Sequence, residues 1–302
     1  MNVSGSSGFA PIIRQDDGTF AGVWGPFALK TAFQPIFTFQ EDRLFAGAFE
    51  GLIRPLRDGE PVPPTTFFNS VPAGERLHVE TLTRTLHLQN AGVCLDPEAS
   101  IFINFDPSVF DEKSVADAAL SDMRLVLQAA AIDPRRVVCE VTEQKSASEA
   151  ALYRFVQALK LHGFRIAIDD YGSADSDIHR VRGLKPDIVK FDAQWITRLM
   201  ETGPGFALLS TMVSAFTEQG IKTVFEGIEE SWQLELAEKS GASMVQGYVL
   251  ARPQIASTRL ALDYPALGKS PGAATPSEYP GTGPHEHKGP ARGVFGRRVK
   301  LP

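Results

Sequence analysis

Cysteine is nearly absent: Cys94 and Cys139 are the only two in 302 residues. That excludes a disulfide framework and a four-thiolate zinc site. No uninterrupted apolar run approaches the ~18 to 20 residues needed to cross a bilayer. Residues 1–19 lack the charged n-region and apolar h-region of a secretory signal. A soluble chain without a membrane span, in a reducing, cytoplasmic setting, is the expectation. Positive charge is also short, with 30 Lys plus Arg against 36 Asp plus Glu, a formal net of −6. The imbalance is uneven, because residues 265–302 carry +4 and the preceding 264 carry −10. A duplex-nucleic-acid binder needs a basic face to displace counterions from phosphate. The acidic body excludes that class.

What is present is a globular body between two polar ends. Residues 1–26 are polar and Gly/Ser-containing, and read as a short flexible lead-in. Residues 265–302 hold 7 Gly and 7 Pro in 38 positions, above the ~25–30% at which such composition reads as disordered. That tail closes with the basic run GVFGRRVKLP, read as a docking segment for a partner protein, an anionic-surface contact or a solvated end. Residues 27–264 approach the ~250 typical of an eight-fold β/α barrel. Strand-like runs occur at 33–39, 45–53, 101–105, 137–142, 164–169, 188–192, 222–226 and 244–249. Only QEDRL joins the first two, too short for a helical crossover, so that pair is antiparallel. Later connections accommodate helices. Ala151, Leu152, Phe155, Val156 and Leu159 form one helical stripe before Gly163, and further helices are expected over 205–219 and 231–240. The fold class is α/β, a modified (β/α)8 TIM-like barrel with an antiparallel first strand.

The chemistry lies at the strand ends. Glu50, Asn104, Glu140, the pair Asp169–Asp170, Lys190, Glu226 and Gln246 each sit where an apolar run gives out. In a β/α barrel those ends converge on the face that carries the active site. Carboxylates crowded together raise one another's pKa and cost stability unless cations are present. A divalent-metal site with oxygen ligands follows. Hard oxygen donors without supporting His or Cys favour Mg²⁺ or Mn²⁺ over zinc. Adjacent Asp169 and Asp170 point to opposite faces of an ideal strand, so a turn must bring both inward. Tyr171-Gly172 is the expected turn. One bridging Asp beside a second Asp suits two metals ~3.5–4 Å apart, as in phosphodiester hydrolysis.

These residues carry a family resemblance. From Phe27 to Pro253 the chain resembles the EAL domain family of cyclic di-GMP phosphodiesterases. FEGLIRP is similar to the naming signature, with Glu50-Gly51-Leu52 for Glu-Ala-Leu. FQPIF, FINFD, EVTE, AIDDYG, LKPDIVKFD, FEGIEE and QGYVLARP follow in the family's order. The resemblance implies two divalent cations, Mg²⁺ or Mn²⁺. Glu50, Asn104, Glu140 and Asp169 would hold the first, and Asp169, Asp170 and Glu226 the second with its water. Glu226 would serve as base or as ligand. Lys190 would contact the nucleophilic water or the developing phosphate charge, with Glu229 and Gln246 supporting the site. Gln34, Arg54 and Gln246 would meet substrate, and Glu143 would anchor the loop after the paired aspartates. The implied reaction is hydrolysis of one phosphodiester bond of cyclic di-GMP to linear pGpG, on a homodimer built through the face near residues 172–200.

The chain departs from the family after the paired aspartates, where DDYGSADSDI stands for DDFGTGYSSL. Ala174 replaces a Gly, and Asp175 and Asp177 add negative charge. That loop bears on metal retention and dimer coupling in the family. A catalytically weak or inactive cyclic di-GMP receptor or interaction scaffold is therefore the alternative reading. Elsewhere, Phe67 and Phe68 read as core anchors and Cys139 as packed. His78 and His87 read as surface or boundary residues, His179 as incidental to the loop, and His285 and His287 as solvated.

Overall fold

A computed structural model describes residues 12–40, 43–106, 113–142, 149–173 and 178–258. The chain opens with a hairpin, β1 (Ile12–Arg14) and β2 (Phe20–Trp24), followed by the long strands β3 (Phe27–Gln40) and β4 (Arg43–Arg57). A two-residue strand β5 (Glu60–Pro61) and helices α1 (Pro64–Ser70) and α2 (Arg76–Cys94) lead to β6 (Ser100–Phe105). Then come α3 (Lys113–Ala129), β7 (Val137–Thr142), α4 (Glu149–Leu161), β8 (Arg165–Tyr171), α5 (Ile178–Leu184) and β9 (Ile188–Phe191). Helices α6 (Ala193–Met200) and α7 (Gly203–Glu218) precede β10 (Lys222–Phe225). Helix α8 (Ser231–Ser240) precedes β11 (Met244–Val245), and β12 (Gln254–Ile255) closes the described chain.

Eight of these strands close a barrel in the order β3-β11-β10-β9-β8-β7-β6-β4, sealed by β3 against β4. β3 is antiparallel to both neighbours, and the other barrel pairs are parallel. The cause is the link after Gln40, which is too short for a crossover. Alternation then sorts side chains into two layers. Outward-facing Ile103, Phe105, Cys139, Ile168, Phe191 and Phe225 join one cluster with helix residues such as Leu127, Leu152, Phe155, Ile196 and Val213. Inward-facing residues, one from each barrel strand, form a separate plug: Ile36, Ala48, Phe102, Val138, Ala167, Ile188, Val224 and Met244. The barrel is thus a packed core rather than a pore.

The expected helices form. Helix α4 buries the stripe Ala151, Leu152, Phe155, Val156 and Leu159, and α8 stops at Gly241 in the left-handed region. Its cap is Glu230, through a capping box with Gln233.

The lead-in differs from expectation between residues 12 and 24. Instead of flexible chain, β1 and β2 pair antiparallel and extend the sheet edge at β3. Trp24 stacks on Phe27 at 6.0 Å and meets Phe67 edge-on at 5.7 Å, capping a small second core with Val79, Leu82 and Leu86. Asn90 clamps the hairpin by bonding both the N–H and the C=O of Phe20. Low overall apolarity hid a five-residue strand whose few large side chains carry the packing. The expected tail at 265–302, with His285 and His287, lies outside the described residues.

Gly247 illustrates how closely the layers meet. A Cβ there would stand 2.0 Å from the carbonyl oxygen of Ile228 and 2.3 Å from its nitrogen, a collision with backbone that no rotamer relieves. Gly247→Ala is expected to destabilise the chain by about 3 kcal/mol. Urea titration checks this as a lowered midpoint at unchanged slope.

Candidate active site

The polar ring follows from the plug by the two-residue period of a strand. Two positions beyond each plug residue, towards the C-terminal mouth, stands a polar one. Ala48 leads to Glu50, Phe102 to Asn104, Val138 to Glu140 and Ala167 to Asp169. Ile188 leads to Lys190, Val224 to Glu226 and Met244 to Gln246. In reversed β3 the step runs backwards, from Ile36 to Gln34.

Asp170 breaks the alternation, and a bulge explains how. β8 pairs Ile168 with Val189 and then Tyr171 with Phe191, so Asp169 and Asp170 together oppose Lys190. Asp170 has φ +56°, a left-handed conformation for which Asp is among the more tolerant residues. Carboxylate oxygens of Asp169, Asp170 and Glu226 lie within 4.8 Å of one another. The reversal therefore begins on Asp170 itself, one residue earlier than the expected Tyr171-Gly172 turn. Gly172 follows at φ +100°, where a Cβ would strike the Trp195 indole at 2.4 Å.

Lys190 occupies the centre. Its Nζ lies 2.5 Å from Glu140 Oε1, 2.7 Å from Glu226 Oε1, 3.1 Å from Asp169 Oδ1 and 3.7 Å from Glu50 Oε2. Lys190 is 1% exposed and Glu140 0%. Gln246 donates to Glu50 Oε2 at 2.8 Å, and Asn104 to Glu50 Oε1 at 3.4 Å. Burial opposes the charge on Lys190, but Asp169, Glu140, Glu226 and Glu50 hold its pKa well above the usual lysine range. Burial also pushes the Glu140 carboxyl well up, with Lys190 reversing only part and Glu50 and Asp169 adding to the rise. Glu226 is pushed up to about 8 by burial, with the same ammonium opposing and Asp169 and Glu50 adding. Asp170 rises through burial and then through Asp169.

The donor set fits divalent cations. Five carboxylates, those of Glu50, Glu140, Asp169, Asp170 and Glu226, face the single ammonium of Lys190. Glu140 Oε2 and Gln246 Oε1 are buried with no hydrogen-bond partner among the described residues. Lone pairs in that state have an evident use as ligands to a hard cation.

The remaining candidates surround this ring. Gln34, Glu50, Glu226, Glu229, Gln246 and Tyr248 line a cleft of about 290 Å³. Gln34 donates weakly to the Ala251 carbonyl at 3.4 Å. Glu229 is exposed at the rim, with its backbone N–H bound by Gln233. Arg54 donates to the Ile53 carbonyl and, with Asn104, lines a second cavity of about 600 Å³ that also includes Phe68, Arg76, Glu80 and Asp106. Glu143 and residues 174–177, with Ala174, Asp175 and Asp177, lie outside the described residues, as does the side chain of His179. Sequence reasoning missed Tyr248, over whose ring the Arg252 guanidinium sits at 4.4 Å. Its position directly after Gln246-Gly247 was the available signal. It also misplaced His87, which is 5% exposed on the inner face of α2. Burial, helped by Arg54, lowers its pKa to about 3. Phe67 and Cys139 are fully buried, as expected.

The EAL domain model matches residues 28–253, and the chain belongs to that family. It is 31% identical over 125 residues to the probable cyclic di-GMP phosphodiesterase PdeA of Escherichia coli, covering 41% of this chain and 17% of that protein. Bacillus subtilis YkuI, solved with cyclic di-GMP and calcium, superposes with a TM-score of 0.65 at 25% identity, over 75% of this chain and 56% of that one. Klebsiella pneumoniae BlrP1, solved with manganese and cyclic di-GMP, shares the fold at a TM-score of 0.68 and 24% identity, over 82% and 59%. The chain thus spans only part of the length of the curated relatives it matches. Among the described residues, no helix is long and apolar enough to cross a membrane.

The raised carboxylates give the metal-free chain a defined pH response. Native Glu226 keeps a proton up to about pH 8, whereas the unfolded group releases it near 4.5. The native state then binds more protons, so stability falls as pH rises. His87 acts oppositely, but only between about pH 3 and 6.5. Urea unfolding in EDTA should therefore show stability decreasing from pH 6.5 to 8, a trend that saturating Mn²⁺ removes.

Proposed function

We propose that the chain hydrolyses one phosphodiester bond of cyclic di-GMP to linear pGpG with two divalent cations, Mg²⁺ or Mn²⁺, as cofactors. The observation that carries this reading is the excess of carboxylate over ammonium charge around Lys190 at the mouth of a β/α barrel. Membership of the EAL family supports it. So do a relative named as a probable cyclic di-GMP phosphodiesterase and solved relatives that hold this dinucleotide with calcium or manganese.

Glu50, Asn104, Glu140 and Asp169 would hold one cation, and Asp169, Asp170 and Glu226 the other. Bound there, the cations would supply Lewis-acid charge for phosphodiester hydrolysis. The chain's own groups do the rest. Gln246 and Asn104 orient the Glu50 carboxylate through its two oxygens. Glu226, held as a carboxylate by the bound cation, accepts the proton of the attacking water or holds its cation in place. Lys190, shifting among its carboxylate partners, positions that water or meets the charge developing on phosphate. Glu229 supports the rim, and Gln34 and Arg54 meet substrate. The water oxygen bonds to phosphorus, the bridging P–O3′ bond breaks, and the proton leaves with the 3′ alkoxide.

The reading extends to a cytoplasmic homodimer formed through the face near residues 172–200, with the basic tail as a docking segment for a partner protein. Sedimentation of the full chain should give twice the 32.9 kDa protomer mass. The second functional reading is a non-catalytic cyclic di-GMP receptor, favoured by Ala174 in place of glycine after the paired aspartates.

Chromatographic turnover assays with Mn²⁺ separate the two. Cyclic di-GMP should convert to pGpG, EDTA should abolish the conversion, and Glu50→Ala should lower kcat by about 100-fold or more. Tight binding without pGpG would establish the receptor, and absence of both would remove either reading.

A further inference from the structure

The cavity of about 600 Å³ between α1, α2 and β4 adjoins the metal ring through Asn104 and contains Arg54 and His87. Its walls combine apolar faces (Leu52, Phe68 and Ile103) with charged groups, a lining suited to one purine half of a dinucleotide. His87 is the unusual member. The family's Glu-Ala-Leu signature reads Glu50-Gly51-Leu52 here, and the space of the missing methyl belongs to the histidine. A Cβ on Gly51 would lie 3.0 Å from His87 Cγ and 3.1 Å from its Cβ.

The tautomer of His87 follows from a chain of fixed bonds. The Asn90 amide cannot turn, because Oδ1 accepts from the Phe20 N–H at 2.8 Å while Nδ2 donates to the Phe20 carbonyl at 2.9 Å. The second Nδ2 proton goes to Thr31 Oγ1 at 3.1 Å. Thr31 is 1% exposed, so its own hydroxyl proton needs an acceptor. His87 Nδ1 stands 2.9 Å away. Accepting there leaves the ring's proton on Nε2. Nε2 has no protein partner among the described residues.

We propose that His87, admitted by Gly51, is a specificity-determining residue whose Nε2–H donates to O6 of a guanine seated in this cavity, where adenine would present an amino donor. The assignment rests on the proposed function, since it names a contact to that same substrate. A neutral imidazole held in one tautomer reads an acceptor and refuses a donor at that edge. Discrimination of this kind is what a buried hydrogen-bonding group provides. Burial keeps the ring neutral at ordinary pH.

Two measurements on the full chain test it. Long-range ¹H–¹⁵N correlation spectra of the labelled protein should show His87 protonated on Nε2 before any ligand is added. Protonation on Nδ1 would overturn the proposal. Calorimetric titration with cyclic di-GMP in Ca²⁺ should then give about tenfold weaker binding for the Gly51→Ala/His87→Ala double variant, in which the restored methyl fills part of the space the ring vacates. Gly51→Ala alone should weaken binding further, because the methyl displaces the ring. Equal affinity of the double variant and the unaltered chain would overturn the assignment and leave the proposed function standing. Absence of binding by the unaltered chain would overturn the proposed function and this contact with it.

Discussion

A single buried ammonium holds the mouth of this barrel together. Lys190 lies within 4 Å of four carboxylates, three on different strands and Glu226 just past the end of a fourth. At an effective dielectric near 20, each attraction at ~3 Å is worth about 5 kcal/mol before desolvation. The carboxylates repel one another at comparable range, and burial of Glu140 and Glu226 adds to the cost. One positive charge does not balance that assembly. The residual strain shows as raised carboxyl pKa values, and divalent cations are the natural counter-charge.

The geometry that creates this demand comes from the barrel. Every strand must present an apolar plug residue to fill the interior, and the next inward position falls two residues later at the mouth. Polar residues placed there converge without any loop having to reach for them. The bulge at Asp169–Asp170 adds a fifth carboxylate at the cost of a left-handed backbone on Asp170. Close packing of Gly172 on Trp195 and of Gly247 on Ile228 then fixes the flanking strands. Rigid strand ends, rather than loops, carry the chemistry.

Much of this was legible in the sequence because strand ends in a β/α barrel carry position as well as identity. Glu50, Asn104, Glu140, Lys190, Glu226 and Gln246 each ended an apolar run, and each reached the ring. The antiparallel β3 was legible for a different reason, the shortness of the QEDRL connection. What stayed hidden was three-dimensional. The β1–β2 hairpin looked like a polar lead-in because its stability rests on Trp24, Phe20 and a clamp from Asn90, distant in sequence. His87 looked peripheral because α2 has a modest polar/apolar contrast, and only the gap left by Gly51 shows which way the ring turns. The bulge was hidden too, since alternation alone places Asp170 outside.

Anomalous diffraction from crystals grown with Mn²⁺ bears most directly on the metal centre. Two manganese peaks ~3.5–4 Å apart are expected, one against Glu50, Asn104 and Glu140 and one against Asp170 and Glu226, with Asp169 between them. A mouth that holds Lys190 among its carboxylates and no manganese at saturating concentration would contradict the metal centre, and the hydrolytic function with it.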